Sequence, residues 1–165
     1  MHALWETYHR CVHDARYAAR VTTPGGEIAE IFGHLLRRST RDHMYARLTT
    51  GLDDALDQAT YPVISGLARY GPRSAAQLAD DIGLDRSVVS RHATRLAQAG
   101  LIERLPDPAD RRAVLLRLTG RGQQAVRQMR ERLAGAFDEY LATWPPGEAE
   151  RFAASLRRFS EEGLF

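Results

Sequence analysis

At 165 residues the chain suits one domain, or one compact unit with dimerising extensions. Its 44% apolar content is enough for a core, and no apolar run approaches the roughly 18 residues of a membrane span. A net charge of +2 marks no nucleic-acid binder by itself, and the single cysteine, Cys11, excludes an internal disulfide framework. With no basic and then apolar leader in Met1–Arg10, a cytoplasmic protein is the expectation.

The charge is unevenly spread. Between Leu84 and Gly122 stand eight arginines (Arg86, Arg91, Arg95, Arg104, Arg111, Arg112, Arg117, Arg121) against four acids (Asp85, Glu103, Asp107, Asp110), which leaves the rest of the chain slightly acidic. Basic charge concentrated on one substructure is an electrostatic footprint for an anionic partner.

In chain order, Leu4, Trp5, Tyr8, Cys11, Val12, Ala15 and Ala19 have the spacing of an amphipathic helix over residues 1–23. The stretch Thr22-Thr23-Pro24-Gly25-Gly26 is expected to break the chain. From Glu27, the residues Ile28, Ile31, Phe32, Leu35 and Leu36 predict one helix running into the Met44–Leu48 region. Another follows from roughly Gln58 to Arg69, with Tyr61, Ile64, Leu67 and Ala68 inward, and Tyr70-Gly71-Pro72 ends it.

Ser74-Ala75-Ala76-Gln77 has the pattern of a capping box, in which serine and glutamine satisfy each other's backbone N–H. The short helix it starts buries Leu78 and Ile82 and stops at Gly83. Asp85 is expected to cap the next helix, which ends at Gly100. Two short helices joined so tightly are a helix-turn-helix signature. Leu101–Arg104 and Ala113–Leu118 then predict two strands around a tip that holds Asp110, Arg111 and Arg112. A purely structural hairpin needs only turn-forming residues at its tip, so paired arginines there point to a negative partner. Thr119 is expected to cap a long helix with Val126, Met129, Leu133, Phe137, Leu141 and Trp144 on its apolar side. Pro145-Pro146-Gly147 turns the chain into a last helix with Phe152, Leu156 and Phe159.

In the Asp85–Gly100 helix, Val89, Ala93 and Leu96 fall on one face, and Arg86, Ser87, Ser90, Arg91, Thr94 and Arg95 on the other. A helix fits the DNA major groove, where arginine forks onto guanine O6 and N7 and serine serves base or phosphate. Val88, at the margin, suits a thymine methyl, and residues at the N-terminal end of such a helix reach the base edges. For an isolated helix, a solvated arginine-rich face is the better reading. The tight turn before it and the arginine-tipped hairpin after it reverse that preference. Arg111 or Arg112 would enter the minor groove, where negative potential is focused, with Asp110 orienting Arg112. Ser74, at the start of the preceding helix, joins the expected DNA contacts.

These residues resemble the MarR (multiple antibiotic resistance regulator) family of winged-helix transcription factors, from about Glu27 to Glu162. The most specific stretch is residues 84–122, with Asp110-Arg111-Arg112 as the wing motif and Leu118-Thr119 with Gly122 leading into the long helix. Residues 60–84 fit the two helices that precede it. The resemblance implies a mainly α fold: a winged helix-turn-helix with a two- to three-stranded β-wing and a helical dimerisation region. Residues 1–26 would be an N-terminal extension, 27–57 and 123–165 the dimerisation region, and 58–122 the DNA-binding lobe. It also implies a homodimeric regulator of transcription, a repressor by expectation, bound to a pseudo-palindrome in double-stranded DNA. A small-molecule effector, phenolic or another lipophilic anion, would lie in the cleft between the dimerisation and DNA-binding parts, where His34, Arg38, His43 and Tyr61 are the expected contacts.

Two features depart from the family pattern. Residues 1–23 lie outside its usual core and read as an added helix bracing the dimer, with an over-called translation start as the alternative. His92 stands where the family usually has an apolar residue. Cys11 offers a redox-sensing alternative, but Thr60-Tyr61-Pro62 lies 49 residues beyond it, farther than in the redox branch of the family, and a small buried hydrophobe is the simpler role. His9 and His13 are an i, i+4 pair without further ligands at that spacing, so no metal and no cofactor is expected. No glycine-rich phosphate loop and no G-x-S-x-G elbow is present, and no enzyme is expected. The main rival is a winged-helix protein-interaction module without DNA binding, which gives no reason for arginines on both the helix face and the wing tip.

Overall fold

The computed structural model describes residues 23–108 and 113–162. The expected N-terminal helix, with His9, Cys11 and His13, and the wing-tip residues Asp110, Arg111 and Arg112 lie outside the described residues. Compact packing divides the chain into two units, Met1–Met44 and Tyr45–Phe165.

Thr23 opens the first described helix, α1 (Pro24–Leu35), with its hydroxyl accepting the Gly26 N–H at 3.2 Å and Pro24 in the first turn. Thr23-Pro24-Gly25-Gly26 therefore forms the cap and first turn of a helix, which begins three residues before Glu27. Proline there is preset for helical φ and gives up an N–H that no helix carbonyl would accept, and threonine is a good cap.

The single helix expected from Glu27 is divided into α1 and α2 (Arg38–Thr49). At the junction the Arg37 N–H tightens onto the His34 carbonyl at 3.3 Å, and the Thr40 hydroxyl donates to the same carbonyl at 3.0 Å. That carbonyl would otherwise accept the residue-38 N–H, and a hydroxyl competing for it diverts the backbone. The polar run Arg37–His43 offers no apolar stripe that would hold the helix straight.

The following loop sets the start of α3 (Tyr61–Tyr70) three residues later than expected. Asp57 Oδ1 accepts from the Ala59 and Thr60 N–H groups, each at 2.9 Å, and the buried Thr60 hydroxyl donates to the Ala55 carbonyl at 2.8 Å. Such an aspartate turn competes with a helix and wins where proline follows at Pro62. Val63, Ile64, Gly66 and Leu67 of α3 are buried, while Tyr61 and Ala68 are half-buried.

A two-residue strand, β1 (Arg73–Ser74), leads into α4 (Ala75–Ile82), and α5 (Arg86–Gln98) follows after Gly83. Strands β2 (Ile102–Pro106) and β3 (Val114–Leu118) pair antiparallel, Ile102 opposite Leu118 and Pro106 opposite Val114. β1 adds to the other edge of β3, giving the order β1-β3-β2. Helix α6 (Gly120–Leu141) is capped by Thr119, whose hydroxyl accepts the Gly122 N–H at 3.1 Å and donates to the Gly100 carbonyl at 2.7 Å. Arg132 of α6 closes the C-terminal end of α2 by donating to the Leu48 and Thr50 carbonyls. The last helix, α7 (Glu148–Glu162), buries no residue.

One core joins these elements in the second unit, with Ile64, Leu78, Val89, Leu96, Leu101 and Ile102 almost wholly excluded from solvent. It draws on α3, α4 and α5, on the sheet, and on the first half of α6 through Val126 and Met129. Beyond Leu133 the second half of α6 leaves it, and Phe137 is exposed there.

Candidate nucleic-acid interface

The helix-turn-helix is built from local signals that the sequence carries openly. Ser74 Oγ accepts the Gln77 N–H at 3.3 Å while Gln77 Oε1 accepts the Ser74 N–H at 2.9 Å, which completes the capping box. Gly83 has φ +66° and ψ 40°, the left-handed conformation that glycine adopts without a Cβ clash. It reverses the chain within a few residues, so that α4 and α5 pack directly on one another. Asp85 occupies the N-cap of α5 in extended conformation, but its carboxylate makes no capping hydrogen bond.

Val89, Ala93 and Leu96 are fully buried, and their burial fixes the rotation of α5 about its axis. The opposite side then presents Arg86, Ser87, Arg91 and Thr94 to solvent, with Val88 and Ser90 half-buried beside them. Arg86 and Arg91 make no hydrogen bond or ion pair among the described residues.

The other described arginines of the basic segment are engaged within the chain. Arg95 donates Nη1 to Asp57 Oδ2 at 2.5 Å and Nη2 to the Asp54 carbonyl at 2.6 Å. Arg117 pairs with Glu103 across the β2–β3 ladder at 2.9 Å. Arg121 pairs with Asp53 at 2.5 Å and donates to the Ala99 carbonyl at 2.8 Å. The geometry thus separates Arg95 from Arg86 and Arg91, with which it was grouped on sequence spacing. A pattern on one helix carries no sign of an acid 38 residues away.

Arg104 is a residue that sequence reasoning passed over. From β2 it donates Nη2 to the Thr94 hydroxyl at 2.8 Å, and Thr94 in turn donates to the Ser90 carbonyl. This places an exposed cation on the wing beside the outer face of α5. Period-two alternation from the buried Ile102 was the signal that could have found it, because it puts Arg104 on the side that meets α5.

Burial acts to raise the Asp57 pKa, but the Arg95 guanidinium and the N–H groups of Thr60 and Ala59 outweigh it and hold this carboxyl below its usual range. Burial lowers the His92 pKa, Arg91 and Arg95 add to that, and Asp57 opposes them. His92 is therefore a half-buried neutral side chain on the flank of α5, not a core residue.

Ser74 lies with its hydroxyl oxygen committed to the cap. Among the expected effector contacts, Arg38 pairs with Asp42 on its own helix at 3.5 Å, and the His43 ring meets the Ser39 carbonyl at 3.0 Å. His34 sits in the last turn of α1. Tyr61, in the second unit, stacks on Tyr45 with ring centroids 4.1 Å apart, a partner that the sequence did not suggest. Burial first, and Tyr45 next, push the Tyr61 phenol pKa up, against Arg130 and Arg69. A groove of about 400 Å³ between α3, β3 and α6 is lined by Leu67, Ala68, Leu118 and Val126 together with Arg117, Arg127 and Arg130. Among the described residues no cluster of three or more metal-ligating side chains occurs, and no helix is long and apolar enough to cross a membrane.

The MarR family model matches residues 56–114, which run from the loop before α3 to the start of β3. The uncharacterized HTH-type transcriptional regulator YxaD of Bacillus subtilis (strain 168) is 30% identical over 106 residues, 64% of this chain and 74% of YxaD. The chain belongs to the MarR family. Two solved structures carry the likeness over most of its length. RV1404 from Mycobacterium tuberculosis is 29% identical, with 84% of this chain and 95% of that one covered and a TM-score of 0.66. BpsR of Bordetella bronchiseptica, whose DNA binding is regulated by 6-hydroxynicotinic acid, is 29% identical, with 79% and 98% covered and a TM-score of 0.54. As a MarR-family protein the chain is a winged-helix, DNA-binding transcription regulator: α4–α5 is its helix-turn-helix and β2–β3 its wing.

Proposed function

We propose that this MarR-family chain acts as a homodimer on a pseudo-palindromic operator, and that the N-terminal end of α5 reads the bases. The observation that carries this is the division among the arginines of the basic segment. Arg95, Arg117 and Arg121 are neutralised by Asp57, Glu103 and Asp53, whereas Arg86 and Arg91, at the end of α5 that would enter a groove, have no ion-pair partner among the described residues. Ser87, Ser90 and Val88 would complete base and phosphate contacts there, with Ser74 at the start of α4. Arg104 is a further candidate for a phosphate. Arg111 and Arg112, oriented by Asp110, would extend the contact into the minor groove. Arg95 is left out of this set because its guanidinium already has two acceptors.

Dimerisation is supported by apolar side chains that a single chain leaves in water. Leu35 and Leu36 of α1, Phe137 of α6 and Phe152 and Leu156 of α7 are all exposed by 45% or more. A dimer seated on promoter DNA excludes polymerase, so repression is the sign we assign, with the cytoplasm as the place of action. Control by a small lipophilic anion follows the regulation of BpsR by 6-hydroxynicotinic acid. His34, Arg38, His43 and Tyr61 are its proposed contacts, and the Arg127–Arg130 groove offers an anion a second place to dock.

The test is Arg91→Ala, measured by titration on a selected operator fragment and on random duplex of equal length. A base-reading arginine should cost roughly 1–3 kcal/mol on the operator and much less on random DNA. Equal losses on both would reassign Arg91 to a phosphate contact.

A further inference from the structure

Two acids in one loop use their carboxylates in the same way. Asp53 Oδ1 accepts the Ala55 N–H at 2.8 Å, and its Oδ2 holds Arg121. Asp57 Oδ1 accepts from Ala59 and Thr60, and its Oδ2 holds Arg95. In each, one oxygen shapes the loop and the other reaches out to an arginine. The loop is itself anchored, because Ala55, Leu56 and Thr60 are buried in the core. Both arginines lead to the same place: Arg95 lies in the last turn of α5, and Arg121 donates to the carbonyl of Ala99, the residue that ends this helix.

We propose that Asp57, with Asp53 beside it, is a positioning residue for DNA recognition: it grips the C-terminal end of α5 through Arg95 and so sets the tilt of the helix. The proposal rests on α5 being the DNA-reading helix. Arg86 lies nine residues from Arg95, about 13 Å along a helix axis, so a tilt of roughly 5° moves the reading end by about 1 Å. A preorganised site tolerates only about 0.5 Å.

Two other accounts of the pair give different signs. Exposed ion pairs contribute little to stability, and the Asp57 and Arg95 side chains are 40% and 43% exposed, so a purely structural role would scarcely change DNA affinity. A purely Coulombic role predicts the reverse of positioning, because an acid beside a DNA-binding face repels phosphate and its removal should tighten binding.

The experiment uses the full chain with Asp57→Asn, Arg95→Met and the double variant, with circular dichroism as a check of folding. Asparagine keeps an amide oxygen for the Ala59 and Thr60 N–H groups while removing the charge that holds Arg95. Affinity for the selected operator and for random duplex is measured over a series of salt concentrations. Positioning predicts that each single variant lowers the operator-to-random affinity ratio by about tenfold and that the double variant falls no further, the non-additivity of a contacting pair. It also predicts an unchanged salt slope for Arg95→Met. If Asp57→Asn fails to fold, Arg95→Met carries the test alone. Unchanged or tighter operator binding by Asp57→Asn overturns the proposal. So does an equal loss on both DNAs by Arg95→Met with a slope shallower by about one, which would make Arg95 a phosphate contact. Arg91→Ala separates this failure from that of the wider reading: if Arg91→Ala binds the operator as the unaltered protein does, the assignment of α5 falls and the proposal with it. A weakened Arg91→Ala beside an unaffected Asp57→Asn removes the proposal alone.

Discussion

The carbonyl oxygen of Leu101 lies where a side chain on Gly122 would have to begin. The first turn of α6 is thereby seated against the backbone that links α5 to β2, and the Thr119 N–H closes the contact by donating to the same carbonyl at 3.1 Å. Only glycine permits this approach. Helix α5, the wing and the long helix α6 thus meet at one backbone junction.

Gly122→Ala should therefore cost about 1–3 kcal/mol or more, because backbone has to move to admit the methyl group. Gly66→Ala is the comparison. A Cβ there would lie 2.8 Å from Ile82 Cγ2 and 2.9 Å from Leu78 Cδ1, which are ends of flexible side chains that can turn away. Urea unfolding of the two variants should show the larger loss at Gly122; a larger loss at Gly66 would contradict the seating of α6.

Ser74 combines a structural and a proposed functional role, and two substitutions separate them. Ser74→Ala removes half of the capping box and should destabilise by about 1 kcal/mol. Ser74→Asp keeps an acceptor for the Gln77 N–H and should leave thermal stability close to that of the unaltered protein. Its charge would repel a phosphate, however, so DNA affinity should fall. Undiminished DNA binding by Ser74→Asp would remove Ser74 from the interface.

The helix-turn-helix was legible in the sequence because each of its parts has a short-range signature. Ser74 with Gln77, Gly83, and the spacing of Val89, Ala93 and Leu96 are all local, and all are found as expected. What was not legible depends on distant partners or on competition between local signals. Arg95 looked equivalent to Arg91 because nothing in its own helix announces Asp57. The break between α1 and α2 turns on the Thr40 hydroxyl taking one carbonyl, which a periodic apolar pattern does not register. Strand β1 is two residues long and exists only through pairing with Leu115 and Leu116. Thr23-Pro24-Gly25-Gly26 contains both a helix cap and chain breakers, and the cap with proline at the first helical position prevailed.

His92 gives stability a pH dependence whose sign follows from its environment. Burial first, then Arg91 and Arg95, hold its folded pKa below the ordinary 6.5, against Asp57. Below that ordinary value the unfolded chain binds a proton that the folded chain does not, so stability is lost as pH falls from 6.5 towards the folded pKa. His92→Gln removes this contribution. Unfolding free energies at about pH 7.5 and 5.5 should differ less for the variant than for the unaltered protein; equal differences would mean that His92 is solvated in the folded state.

The wing-tip pair makes a separate prediction, drawn from sequence. Arg112→Ala should weaken binding to all duplexes and make the salt dependence shallower by roughly one unit of slope, because one fewer counterion is released. Asp110→Ala should also weaken binding if its carboxylate holds Arg112 in place. Tighter binding by Asp110→Ala would show that Arg112 does not depend on this partner.

The central claim is that two copies of this chain read DNA through two copies of α5. Hydroxyl-radical footprinting on a fragment selected from the organism's own genome tests it most directly. The account predicts two protected half-sites related by a pseudo-twofold axis and centred about one helical turn (~10 bp) apart, with protection lost for Arg91→Ala. A single protected half-site, or protection that is uniform along the fragment, would contradict it.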